Sequence, residues 1–280
     1  MVGALACGVG CAARNPEFVA ADARMDVVGA PDASRDRTES DTSPSFDQRP
    51  PDAPMGPHPR LVGYWRFDEA PGTTAPDSSG NDNHGTLESL DPASARVPGR
   101  QGSALEFGAG ASGAAGVRVP LTSSITGIRQ FTIAAWIWRS GSFPTQNTAV
   151  LSRQIGTTAR EIYGLTTLDD DLVIYAGTDV TPAPEVRISG AAPVGVWLHA
   201  TATFDGMTLR LYRDGQQIGS YPLTRALPQD PSTPLYIGTN KNPARNDVFL
   251  GRIDEVALYN VALSAQSVAA LAGGASPLGF

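Results

Sequence analysis

Beyond Leu61 the apolar residues recur with a period of two rather than 3.6, which is the spacing of strands. In Phe131–Trp138 (FTIAAWIW), Phe131, Ile133, Ala135 and Ile137 share one face, and Ala134, Trp136 and Trp138 share the other. Apolar groups on both faces mark a central strand. Residues 197–223 carry Asp205-Gly206 and Asp214-Gly215, dipeptides that supply the positive φ angles of type I′ hairpin turns. The flanks His199–Phe204, Thr208–Tyr212 and Gln217–Tyr221 alternate and are rich in β-formers, which predicts a three-stranded meander. Turn signals recur at 108–116, 169–171, 181–184, 190–193 and 228–234. One helix is predicted, Ser264–Ala272, with Ser264 as N-cap, Val268 and Leu271 as its apolar stripe and Gly273-Gly274 as its stop. The pattern predicts an all-β fold: an antiparallel two-sheet sandwich with one short C-terminal helix.

The first sixty residues break this pattern. Residues 12–60 hold 8 Pro and, as aromatics, only Phe18 and Phe46, whereas all 4 Trp and all 7 Tyr lie at or beyond Tyr64. Such a segment buries too little apolar surface to offset its chain entropy, and its prolines favour an extended spacer. The expected organisation is a leader over 1–13, a disordered linker over 14–60 and one domain over 61–280. The leader MVGALACGVGCAA is small and apolar and looks like the back half of a bacterial lipoprotein signal, with the true start expected upstream. Either Cys7 or Cys11 is then the lipidated N-terminus, or the segment is a short apolar leader with two idle thiols. The expected location is extracytoplasmic, at a bacterial surface or outer membrane, with secretion as the alternative.

Composition removes several functions. Both cysteines of the 280-residue chain lie in the leader, so the domain has no disulfide, thiolate metal site or cysteine nucleophile. The net charge is −7 with no basic stripe, which argues against nucleic acid. No stretch of 18 apolar residues exists, so membrane attachment is expected only through a lipid anchor.

Seven blocks, in order, resemble one family. Leu61–Glu69 (LVGYWRFDE) looks like its opening strand, and Asp77–Gly85 (DSSGNDNHG) is similar to its Asp-x-Ser-Gly-Asn-x-Asn-x-Gly loop. Gly102–Phe107, Phe131–Trp136, Gly195–His199 with Phe204–Gly206 and Leu211–Gly215, Leu235–Gly238 and Phe249–Tyr259 resemble the following strands, and Ala262–Ser264 the opening of the terminal helix. The family is the laminin-G-like jelly rolls of the concanavalin A-like lectin/glucanase fold. The resemblance implies a jelly-roll sandwich and leaves the ligand open.

Three chemistries follow from it. Glucanases on this fold use a Glu-x-Asp-x-Glu strand, with carboxyls about 5–5.5 Å apart for retention. No such triplet occurs here, the three His lack metal spacing, and Asp169–Asp171 reads as a solvated turn, so no catalytic residue is expected. Relatives hold a structural calcium at positions matching Asp68, Asp77, Asn81, Asn83 and Asp254, all oxygen donors. The plainer alternative is that these residues cap turns. For carbohydrate, Trp138, Tyr163, Tyr175 and Tyr236 are the candidate platforms, while Trp65, Trp136 and Trp197 are assigned to packing and His84 to loop structure. The expected function is a non-catalytic extracellular module binding a glycan or another surface macromolecule. The alternatives are an adhesive protein with extracellular protein partners and a glycoside-active enzyme with a dispersed acid/base pair.

Overall fold

A computed structural model describes residues 60–108, 115–141, 147–155, 160–180, 183–240 and 247–280. The leader with Cys7 and Cys11, and the expected linker up to residue 59, lie outside the described residues, as do parts of the turns at 108–116 and 181–184.

In chain order the strands are β1 (Leu61–Trp65), β2 (Thr74–Ala75), β3 (Gly85–Glu88), β4 (Arg96–Pro98), β5 (Ser103–Phe107), β6 (Gly116–Val119), β7 (Phe131–Arg139), β8 (Asn147–Gln154), β9 (Glu161–Leu168), β10 (Asp171–Ala176), β11 (Glu185–Ile188), β12 (Trp197–Phe204), β13 (Thr208–Arg213), β14 (Gln216–Pro222), β15 (Leu235–Ile237) and β16 (Gly251–Tyr259). The helices are α1 (Ser123–Thr126) and α2 (Ala265–Ala272). They form two sheets whose strand pairs are antiparallel, the predicted jelly-roll sandwich. The first runs β14-β13-β12-β7-β16-β5-β4, with β1 also on β16, and the second runs β11-β10-β9-β8-β15-β6-β3-β2.

The period of two places the core between the sheets. Ile133, Ala135 and Ile137 of β7, Leu198, Ala200 and Ala202 of β12, and Leu172, Ile174 and Ala176 of β10 belong to one buried cluster. A smaller cluster forms on the outer face of the first sheet, where Val268 and Leu271 of α2 pack on Ala134, Tyr212, Ala257 and Tyr259. Half of that face is therefore covered. Ser264 Oγ accepts from Ser267 N, so the predicted N-cap holds the helix in place.

The meander is as predicted, except at one turn. Asp214 (φ 50°) and Gly215 (φ 83°) have the paired positive angles of a type I′ turn. At Asp205-Gly206 only the glycine is positive (φ 92°), because the Asp205 carboxylate accepts from Met207 N and Thr208 N and forms an Asx turn instead. The single turn α1 carries no periodic apolar stripe and was not anticipated.

Candidate functional site

The strand registers assemble a continuous row of residues across the outer face of the second sheet. Tyr175 faces Glu185 on one side and Gly164 on the other; Gly164 faces Ser152, Ser152 faces Tyr236, and Tyr236 faces Arg118. Tyr175 and Tyr236 point away from the core because their neighbours Ile174, Ala176, Leu235 and Ile237 fill it. Both rings are partly exposed. Three strand spacings separate them, roughly 14 Å. The Tyr175 hydroxyl is fixed by Asn147 Nδ2 (3.2 Å) and Arg187 (3.3 Å).

Between the tyrosines lies a buried acidic cluster. Glu161 starts β9, and its carboxylate folds back over Gly164: a Cβ there would stand 1.6 Å from Glu161 Oε2. Burial, the largest cause, pushes the Glu161 pKa up to about 7; Asn240 and Ser152 beside the carboxylate pull it down, and the Asp247 charge pushes it up. Asn240 Nδ2 donates to Asp247 Oδ2 at 2.6 Å. Glu161 Oε2, Gln154 Nε2 and Thr166 Oγ1 are buried without a hydrogen-bond partner among the described residues. Ser152 Oγ in the same row is unpartnered too; buried polar atoms are nearly always paired, so these atoms mark a place where bound water belongs. A raised carboxylate pKa beside a second acid adds to that pattern.

The part of the first sheet's outer face left uncovered by α2 is aromatic and carries charges of both signs. Trp197, Trp138, Arg252 and Glu106 form a row over β12, β7, β16 and β5. The next row is His199, Trp136 and Asp254. Trp136 is only 7% exposed, with the Arg100 guanidinium 4.6 Å above it and the His199 ring 5.2 Å away on edge. A bulge at Glu255 (φ 52°) interrupts β16, and the Tyr64 hydroxyl donates to the Glu255 carboxylate.

The five residues predicted as calcium ligands fall into two separate groups. The Asp77 carboxylate accepts from Tyr64 N (2.9 Å), Ser79 N (2.8 Å), Ser79 Oγ (2.8 Å) and Asn83 N (2.9 Å), which fills its lone pairs. Asn81 and Asn83 donate to Leu61 O and Val62 O, and His84 Nδ1 accepts from Asp77 N, so this loop is stitched to β1. Asp68 and Asp254 belong to a different knot, the turn at 99–103: Asp254 Oδ2 accepts from Arg100 N and Gln101 N, and Asp68 Oδ1 from Ser103 N. Among the described residues no three His, Cys, Asp or Glu side chains converge to hold a metal.

The four expected platforms also separate. Tyr175 and Tyr236 share one row, and Trp138 stands on the opposite sheet. Tyr163 is corrected: it is fully buried, its ring 5.2 Å from Phe131, and a ring sealed in the core offers no face to a ligand. Trp197, assigned to packing, is partly exposed beside Val194 and Val196, which are 50% and 48% exposed. The Glu161 cluster was missed. Its one local signal was a glycine inside a strand pattern, which marks a close approach.

Two packed antiparallel sheets in this strand order define a jelly-roll sandwich. Residues 111–269, more than half of the chain, match the laminin-G-type family of the concanavalin A-like lectin/glucanases superfamily, and the chain belongs to that family. No curated protein matches the sequence. Among solved structures, domain 4 of AbnA, an extracellular GH43 arabinanase from Geobacillus stearothermophilus in complex with arabinotriose, is 22% identical with a TM-score of 0.57, covering 76% of this chain and 98% of that one. The binding domain of botulinum neurotoxin DC in complex with rat synaptotagmin II is 16% identical with a TM-score of 0.55, covering 76% and 51%. The Trypanosoma rangeli sialidase in complex with 2,3-difluorosialic acid is 16% identical with a TM-score of 0.57, covering 77% and 33%. The chain thus spans about half of the neurotoxin domain structure and a third of the sialidase. At these identities the likeness is one of fold. No helix among the described residues is long and apolar enough to cross a membrane.

Proposed function

We propose that the chain is a non-catalytic carbohydrate-binding module that holds a short neutral oligosaccharide across the outer face of the second sheet. The observation carrying this reading is the cross-strand row that sets the partly exposed Tyr175 and Tyr236 on one face, on either side of the buried Glu161 carboxylate. Two partly exposed flat rings about 14 Å apart on one face are what a chain of sugars needs: apolar ring faces to stack on at both ends. The arabinotriose bound by the arabinanase domain is a three-sugar ligand on the same fold and is the natural first probe. A lipidated Cys7 or Cys11 would place the module at the cell surface, with residues 14–60 as the tether.

Titration calorimetry against a panel of neutral oligosaccharides, arabinotriose included, tests the reading. A saturable ligand is expected, with Tyr175→Ala and Tyr236→Ala each weakening it about three- to tenfold. A blank panel, or a ligand indifferent to both substitutions, would overturn it and favour protein adhesion.

One observation favours a hydrolytic reading: Glu161, with its pKa near 7, lies beside the second acid Asp247. Release of reducing ends from a polysaccharide, abolished by Glu161→Gln with binding retained, would replace the binding-module reading with that one.

A further inference from the structure

We infer that the uncovered half of the first sheet's outer face is a second, separate binding site, and that it takes a carboxylate-bearing sugar chain. At the edge of this face stands the Arg100 guanidinium. It lies over the Trp136 indole at 4.6 Å and has no carboxylate partner among the described residues. The Arg252 guanidinium lies 5.0 Å from the Trp138 centroid and shares one contact, 3.2 Å, with the partly exposed Glu106. A guanidinium over an indole is held by its π face while its N–H donors remain able to grip a carboxylate through two parallel hydrogen bonds.

The remaining chemistry of the strip is apolar and flat. Trp138 and Trp197 are direct cross-strand neighbours, both partly exposed. Val194 and Val196 beside Trp197 are among the most exposed large apolar side chains of the described residues. The segment carrying them is held rigid: Gly195 N donates to Arg139 O, and the buried Arg139 guanidinium donates to Ala192 O and Gly141 O. An apolar surface held in place by buried hydrogen bonds is pre-formed for a ligand, which lowers the ordering cost of binding.

Charge selects the occupant. The chain as a whole is acidic, with a net charge of −7, yet Arg100 over Trp136 has no carboxylate partner among the described residues, and Arg252 over the partly exposed Trp138 shares only Glu106. Asp254, the acid beneath them, is fully buried and spends one oxygen on Arg100 N and Gln101 N. An anionic ligand can therefore pair with the Arg100 guanidinium without displacing a carboxylate. The paired indoles call for a ring to stack on, which a peptide of acidic residues lacks. A uronic-acid type oligosaccharide has both the ring and the carboxylate.

The test uses the full chain, with tryptophan fluorescence as the readout. The probes are trigalacturonic acid, arabinotriose and triglutamate. Saturable quenching by trigalacturonic acid is expected, weakened about tenfold or more by Arg100→Gln and by Arg252→Gln, and weakened by added salt as the charges are screened. Both substitutions sit at exposed or partly exposed positions, and melting curves check that the fold is kept. No saturable quenching, unchanged affinity in both arginine variants, or equal binding of triglutamate would each overturn the inference. Because the proposed neutral-sugar site is on the other sheet and is read with arabinotriose and the tyrosine variants, the two proposals fail independently.

Discussion

Gly164 and Glu161 share one space: a methyl group on Gly164 would sit 1.6 Å from Glu161 Oε2. Glycine costs a strand stability, since it packs nothing and loses more entropy on folding. At this position its missing side chain is the seat of the carboxylate. Gly164→Ala should destabilise the domain by about 2 kcal/mol, the usual cost of overpacking a tight site. In a Glu161→Ala background the same substitution should cost little or nothing. A double-mutant cycle by urea unfolding measures the coupling, and additive costs would show that the two residues do not compete for this space.

The Glu161 carboxyl makes stability depend on pH. Its pKa in the folded chain is near 7 against an ordinary 4.5, so between those values the folded state holds a proton that the unfolded state has released. The sign follows: the contribution is full below pH 4.5 and is lost as pH rises through 7. Glu161→Gln cannot ionise and escapes the loss. The variant should match the wild type in slope below pH 4.5 and gain on it by about 1.4 kcal/mol per pH unit above that, up to about 3 kcal/mol. Unfolding free energies at pH 4, 6 and 8 would check this; parallel curves would mean that the carboxyl is not confined as described.

His199 works in the opposite direction. Burial pulls its pKa down to about 4 from 6.5, against the opposing pull of Asp214. Here the folded state refuses a proton that the unfolded state accepts, so stability is full above pH 6.5 and is lost as pH falls toward 4. Between pH 4.5 and 6.5 the His199 and Glu161 contributions oppose each other. His199→Gln should remove the acid-side loss and leave a curve that falls with rising pH. Because the His199 ring is 5.2 Å from Trp136, indole fluorescence of the folded wild type should inflect near pH 4. An inflection near 6.5 would place the ring in water.

What the sequence made legible is what depends on near neighbours. The Asp214-Gly215 hairpin, the Ser264 cap and the two-faced β7 are local patterns, and each is found where the pattern put it. The outer-face row is different. Tyr175 and Tyr236 are 61 positions apart in the chain, and only the register through β9 and β8 brings them to one face. Tyr163 looked equivalent to Tyr175 as an aromatic in a strand. The difference is which face the register turns inward, and Tyr163 lies opposite Ala176 on the core side. Glu161 had only Gly164 as a local sign, because the rest of its surroundings come from β8 and from Asn240 and Asp247.

Asp77 decides between a capped loop and a cation site. Its carboxylate holds three backbone N–H groups and one hydroxyl, joining the 77–83 loop to β1. Asp77→Ala strands these donors near the buried β1 and should cost about 3 kcal/mol or more. Asp77→Asn keeps the shape but turns an NH2 group toward N–H donors, and should recover little of the loss. If the residue acts as a cap, a chelator leaves the wild-type melting temperature where it was, and added calcium does not raise it. A rise with calcium that Asp77→Ala abolishes would mean that a bound ion displaces these hydrogen bonds, since only a ligand of the folded state shifts the transition in this way.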